Sequence, residues 1–217
     1  MVDIFDEVEE ELRAERAKQL LKRYAGLIIA AALLIVAAAG GWQGWRWWQA
    51  RQDMAAGQRY LAAMALMQGS ATAASRQAVI RDFGAIIRTA PEGYRTLARL
   101  QAAAQEAQSG DLQGAAALWN DVATDSDADP LLRDLANLLW CQHQIDTGDP
   151  GLLEARLKAL AQPGNVWRPL AQEQLALLDL REGKTAAAKA ALSKLARDVT
   201  APTGVRGRAA ALRARLG

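Results

Sequence analysis

The sequence predicts an all-α protein: an amino-terminal transmembrane helix followed by an α-solenoid of stacked helix pairs. Three observations predict it. Residues 24–45, YAGLIIAAALLIVAAAGGWQGW, run for 22 residues without a charge. Beyond Arg46 alanine, leucine, arginine and glutamine dominate, β-branched residues are sparse and strand alternation is absent, so that region reads as helical. Turn residues recur along it at regular intervals, with glycines 110, 148 and 183 lying 38 and 35 residues apart.

The first element is a stub, residues 1–23. It carries seven acidic and five basic side chains, net −2, so the rest of the chain holds 26 − 5 = 21 basic and 24 − 7 = 17 acidic residues, net +4. That balance is too mild for a dedicated nucleic-acid binder. Asp3 suits an N-cap, Phe5, Val8, Leu12 and Leu20 or Leu21 can share a stripe, and acids give way to bases along the helix dipole. Glu9 and Arg13 add an i,i+4 pair. Two readings fit: a docking helix for a partner, and a solvated extension of the span that follows.

The second element is that span, residues 24–45. At 1.5 Å per residue the uncharged run covers about 33 Å, close to the hydrocarbon thickness of a bilayer. Lys22, Arg23 and Tyr24 mark one interface, and Trp42, Trp45, Trp47 and Trp48 form an aromatic belt at the other. Five basic residues ahead of the run predict a cytoplasmic amino end. A cleaved signal is the rival, with Ala37-Ala38-Ala39 as its small-residue site. However, the acid-rich amino region and the length of the run favour an anchor that stays. Gly40 and Gly44 make a GxxxG pair, a possible dimer contact within the membrane.

The third element, residues 46–217, is a series of helical segments divided at Gly69-Ser70, Pro91-Glu92-Gly93, Ser109-Gly110-Asp111, Asp129-Pro130, Gly148-Asp149-Pro150, Pro163-Gly164-Asn165, Glu182-Gly183-Lys184 and Pro202-Thr203-Gly204. Aligned on the three glycines, the residue seven before is small: Ala103, Cys141, Ala176. Five after come Ala115, Leu153 and Ala188; nine after, Trp119, Leu157 and Leu192; twelve after, Val122, Leu160 and Leu195. Small residues let two antiparallel helices approach, and the large ones fill the gap to the next pair. One pair cannot bury its apolar face alone, so such units stack. The motif resembles the tetratricopeptide repeat family over about Pro91–Leu195 in three degenerate units, with a poorer one at Tyr60–Pro91. It departs from the family at Glu106, Gln144 and Asp179, where a tyrosine is usual, and at Leu153, where a small residue is. Gly204–Leu216 reads as a capping helix, and six basic residues against Asp198 in Lys194–Gly217 suit either a solvated outer face or contact with anionic headgroups or an acidic partner.

Chemistry-bearing constellations are scarce. One histidine excludes HExxH and most His-based triads, and no phosphate-binding glycine loop is present. Cys141 and His143, two apart on a helix, do not share a face, so a buried thiol and a solvated or hydrogen-bonded imidazole are expected rather than a metal or catalytic pair. A non-enzymatic binding protein without cofactor or metal is predicted. Stacked pairs would offer a groove lined by the first helix of each pair, and Gln101, Gln105, Asn137, Trp140, Gln144, Gln172 and Gln174 are the candidate partner contacts; Trp119 and Trp167 read as packing anchors.

The layout of acidic stub, positive-inside span and repeat domain, with the opening DIFDEVEEELR and the helix Tyr60–Gln68, resembles the ancillary SecYEG translocon subunit family (YfgM-like proteins). That resemblance implies an inner-membrane protein with a periplasmic repeat domain. Its implied partners are the SecYEG channel and a membrane-anchored chaperone or prolyl isomerase, and its implied role is to help exported proteins reach folding factors. A repeat scaffold for envelope assembly or cell division, self-associating through its repeats or its span, is the alternative. An enzyme is the third possibility, for which no side chain in the sequence stands out.

Overall fold

The computed structural model describes residues 4–69 and 72–217, and their side chains except those of residues 4–21, 28 and 73. The expected N-cap at Asp3, the stub's apolar stripe and its Glu9–Arg13 pair therefore lie outside what is described. Nine α-helices and no strand are present among the described residues: α1 Ile4–Gly69, α2 Ala73–Thr89, α3 Glu92–Ser109, α4 Leu112–Thr124, α5 Pro130–Gln144, α6 Pro150–Leu160, α7 Arg168–Arg181, α8 Thr185–Arg197 and α9 Thr203–Arg215. The chain divides into two units, Met1–Gln52 and Asp53–Gly217. Helix α1 contributes to both, and the helix expected at Tyr60–Gln68 is its last part.

In the first unit α1 holds the segment long and apolar enough to cross a membrane. Its most apolar window has mean hydropathy 2.2 and is wholly unburied. Trp42, Trp45, Trp47 and Trp48 are all more than half exposed. Trp45 and Trp48 stand with ring centroids 5.5 Å apart, and the Arg51 guanidinium lies 4.0 Å over the Trp47 ring. Lys22 and Arg23 are exposed, and Tyr24 is 48 % exposed. Rings carrying a polar edge and an apolar body are suited to the headgroup level.

In the second unit each helix packs on the next in sequence, from α2 through α9. Short connections make neighbours antiparallel. Polar side chains start many of them: the Thr72–Ser75 capping box for α2, and Asp111, Asp129 and Asp149 accepting backbone N–H groups at α4, α5 and α6. Pro130 and Pro150 follow two of these caps, at the first helical position, where a missing N–H costs nothing.

All the residues aligned by the repeat are core. Ala103, Cys141, Ala176, Ala115, Leu153, Ala188, Leu157, Leu192 and Val122 are fully buried, Trp119 is 1 % exposed, and Leu160 and Leu195 are 3 % exposed. All of them but Ala188 belong to successive core clusters that continue from one helix pair to the next. An earlier cluster joins Ala63 of α1, with Tyr60 and Met64 against it, to Val79, Phe83 and Ile86 of α2 and Ala98 of α3, which makes the Tyr60–Pro91 segment a genuine pair. Polar links also reach across about one repeat length. Arg156 bonds Asn120, Trp167 Nε1 donates to the Leu131 carbonyl, and Arg181 donates to the Ile145 carbonyl, each 36 residues apart. Each of these links spans about the length of one unit.

The turns are less uniform than the glycine spacing predicts. Gly110 and Gly183 have φ of 94° and 77°, the left-handed cap that favours glycine. Gly148 is not left-handed. There the Gly148 N–H closes on the Gln144 carbonyl at 2.7 Å, and a Cβ would sit 2.9 Å from that oxygen. Glycine is needed at 148 for close approach rather than for a positive φ.

Candidate partner-binding groove

Helices alternate between two layers, and the odd-numbered layer is the tighter one at its α9 end. There α5 touches α7 and α7 touches α9, whereas α4, α6 and α8 make no comparable contact with one another. In a two-layer stack the closer-set helices form the concave side. A groove of about 640 Å³ lies on that side, between α5, α7 and α9.

Each wall is set by helical spacing. Helix α5 contributes Leu138 and Gln142, four apart, and α7 contributes Leu170, Glu173, Gln174 and Leu177, at i, i+3, i+4 and i+7, spacings that keep each set on one face. Glu173 is unusual: its side chain is only 5 % exposed, inside a helix otherwise rich in alanine and leucine. A buried carboxylate needs a partner. Arg208 of α9 supplies it in a bidentate fork, Nε to Oε1 and Nη2 to Oε2, both at 2.7 Å. The bond to Glu173 also holds the Arg208 guanidinium above its ordinary pKa. Beside this pair the Gln174 side-chain oxygen is buried without a hydrogen-bond partner among the described residues. Leu212 and Arg215 complete the α9 wall.

Of the seven contacts predicted from sequence, Gln174 lies in this groove. Gln101 bonds the Tyr60 side chain, whose hydroxyl is pushed up in pKa by burial and partly drawn back by that bond. Gln105 is buried and donates to the Met67 sulfur at 3.2 Å, beside a shallow depression of about 530 Å³ with Arg76 and Gln108. Asn137 and Trp140 both engage Arg156 of α6. Arg156 Nη1 donates to Asn137 Oδ1 at 3.2 Å, Nη2 to Asn120 Oδ1 at 2.8 Å, and its guanidinium lies 4.2 Å over the Trp140 ring. One arginine thereby ties together α4, α5 and α6. Gln144 sits at the end of α5, where its carbonyl receives the N–H groups of Thr147 and Gly148. Gln172 lines a separate pocket of about 310 Å³ between α6, α7 and α8, with Leu175, Leu178 and Leu195 on its apolar side.

Sequence reasoning missed Glu173 and its pairing with Arg208; Arg208 and Arg215 stood among the six basic residues read as a solvated face or a contact for an acidic partner or anionic headgroups. A signal existed. Glu173 and Arg208 are 35 residues apart, the same spacing as Gly148 and Gly183, and α9 has arginines but no acid of its own. Trp119 and Trp167 pack as anchors: Trp119 is buried, and Trp167 lies against the α5–α7 cluster. Cys141 is a fully buried thiol whose pKa burial pushes up to about 11. His143 stacks on the Trp119 ring at 4.5 Å, and desolvation lowers its pKa. No group of three or more metal-ligating side chains occurs among the described residues. The arrangement can bind an amphipathic chain segment by apolar contact and charged rim.

The family described as tetratricopeptide repeat-like domain matches residues 18–138, more than half of the chain. The match takes in the apolar segment of α1 as well as the first helix pairs. No curated protein and no solved structure matches.

Proposed function

The chain belongs to the tetratricopeptide repeat-like domain family, whose members are generally scaffolds for protein–protein interaction, and on that premise we propose that it is a non-enzymatic, membrane-anchored adaptor holding a protein partner in the groove of α5, α7 and α9. The observation that carries the reading is the groove itself: an apolar floor with polar and charged groups around an ion pair of a buried carboxylate and a half-exposed arginine. Residues 1–23 form a cytoplasmic segment, residues 24–45 the anchor, and residues 46–217 a periplasmic domain. The unburied apolar segment and its belt of exposed tryptophans support the anchor.

The partners are the SecYEG translocon and a membrane-anchored periplasmic chaperone or prolyl isomerase, and the role is to pass newly exported chains from one to the other. Support for this finer assignment is the layout of the sequence: acidic stub, span with basic residues ahead of it, then repeats. Anchoring raises the groove's effective concentration at a membrane complex, so weak individual contacts suffice. The test is purification of the full-length protein in mild detergent after in-cell crosslinking, beside a control carrying an unrelated membrane helix. Enrichment of the channel and of periplasmic folding factors over that control supports the reading. Recovery of division or other envelope proteins instead refutes the translocon assignment.

A second reading has its own observation. In the second unit α1 packs Ala56, Tyr60 and Ala63 inward, yet Met54, Leu61 and Leu66 on its other side are 62 %, 68 % and 55 % exposed. A helix apolar on both sides ordinarily has neighbours on both. That favours a self-associating envelope scaffold, which sedimentation of the full-length protein in detergent distinguishes.

A further inference from the structure

We propose that the occupant of the α5–α7–α9 groove is an acidic amphipathic helix of a partner protein, with two carboxylates seven residues apart and an apolar pair between them. The inference rests on the adaptor reading and names the partner's chemistry at the same site. Along its α9 wall the groove presents Arg208, Ala211, Leu212 and Arg215. These are positions i, i+3, i+4 and i+7 of one helix, so they share a face, and the two arginines are offset by about 10.5 Å along the axis.

Charge on this wall is unbalanced. Helix α9 contains four arginines and no acid, and its one ion pair among the described residues is Arg208 with Glu173. Arg215 therefore faces the groove without a carboxylate. Glu173 occupies two of the N–H groups of Arg208, but the Arg208 side chain remains 55 % exposed, with further donors directed away from the pair. Groove charges sum to positive: two arginines against one glutamate.

Geometry selects the conformation of the occupant. An extended segment rises about 3.3 Å per residue, so side chains offset by about 10.5 Å are three residues apart and point to opposite faces. They cannot both meet α9. A helix lying along α9 repeats its spacing: acid at i, apolar at i+3 and i+4, acid at i+7. The apolar pair then enters the leucines of α5 and α7 while the acids meet Arg208 and Arg215.

The experiment titrates the full-length protein in detergent with a fluorescent, helix-favouring peptide bearing Glu-x-x-Leu-Leu-x-x-Glu. A matched peptide has Lys at both Glu positions, and binding is read by anisotropy. The Glu peptide is expected to bind about tenfold or more tighter than the Lys peptide, and added salt should narrow the gap. Arg215→Glu, in the last turn of α9, leaves the protein folded with only a small loss of thermal stability, weakens the Glu peptide about tenfold and strengthens the Lys peptide. Equal affinity for the two peptides, or no response to Arg215→Glu, overturns the inference. Displacement of the Glu peptide by vesicles containing anionic lipid, with the same Arg215 dependence, also overturns it and assigns these arginines to a membrane surface. A photo-crosslinker at Gln142 in cells separates the two levels. A crosslinked partner segment lacking acids overturns the helix inference and leaves the adaptor reading standing. No crosslinked protein at all overturns both.

Discussion

Leu153→Ala is the substitution on which repeat logic and packing disagree. In the aligned motif the residue five after the turn glycine is Ala115 in one unit and Ala188 in another, so alanine at 153 restores the pattern. In the structure Leu153 is fully buried among Cys141, Leu157, Leu160 and Leu178, and its Cδ1 lies 3.4 Å from where a Cβ on Gly148 would stand. It fills the space opened by a turn that closes on Gln144 instead of through a left-handed glycine. Removing three carbons forfeits about 2.4 kcal/mol of transfer free energy at about 0.8 kcal/mol each. The cavity adds a further share, for a total of about 3–4 kcal/mol. For a unit of this size that lowers the melting temperature by roughly 6–16 °C. Thermal and urea unfolding of the full-length protein in detergent, followed by circular dichroism, measures it. A loss below about 1 kcal/mol would refute the packing argument and show that the small residue belongs there.

Other side chains give independent tests. Arg156→Ala removes two hydrogen bonds and a cation–π contact that join α4, α5 and α6, and should cost about 2 kcal/mol in urea unfolding; Arg156→Lys should recover less than half, because an ammonium cannot fork to Asn120 and Asn137 over the Trp140 ring. Burial, and then the Asp111 charge, raise the pKa of Glu106. The stability contributed by its neutral form is present below the ordinary carboxylate range and lost as pH rises through the raised value. Glu106→Gln should therefore stabilise by about 0.2–0.5 kcal/mol near pH 7, and the gain should vanish near pH 4 in paired denaturation curves. Cys141, buried and pushed up to about 11, should react with iodoacetamide at pH 8 only at the rate of unfolding. Fast labelling of folded protein would contradict its place in the core.

Much of this architecture was legible because burial follows spacing. The small–large register around Gly110, Gly148 and Gly183 identified core positions that are all buried, since a stack of helix pairs imposes the same neighbours on each unit. Two things were not legible. Turn geometry at Gly148 depends on how the chain closes over Gln144, and glycine is compatible with both solutions. The groove depends on which face of each odd helix turns inward. Choosing glutamines and aromatics by polarity located Gln174, but Asn137 and Trp140 have the same polarity and are taken up by Arg156. Glu173 does not stand out in the sequence because its neutralising Arg208 is a full repeat away.

The most direct test of the adaptor account is position-specific photo-crosslinking in living cells. The crosslinker is placed at Gln142, an exposed residue of the groove, and at Asp121, an exposed residue of α4 outside it. The account predicts that Gln142 captures one or a few discrete proteins, that Asp121 does not, and that the captured set includes components of the translocon and periplasmic folding factors. Equal capture from both positions, or capture from Asp121 alone, would contradict a groove that binds partners.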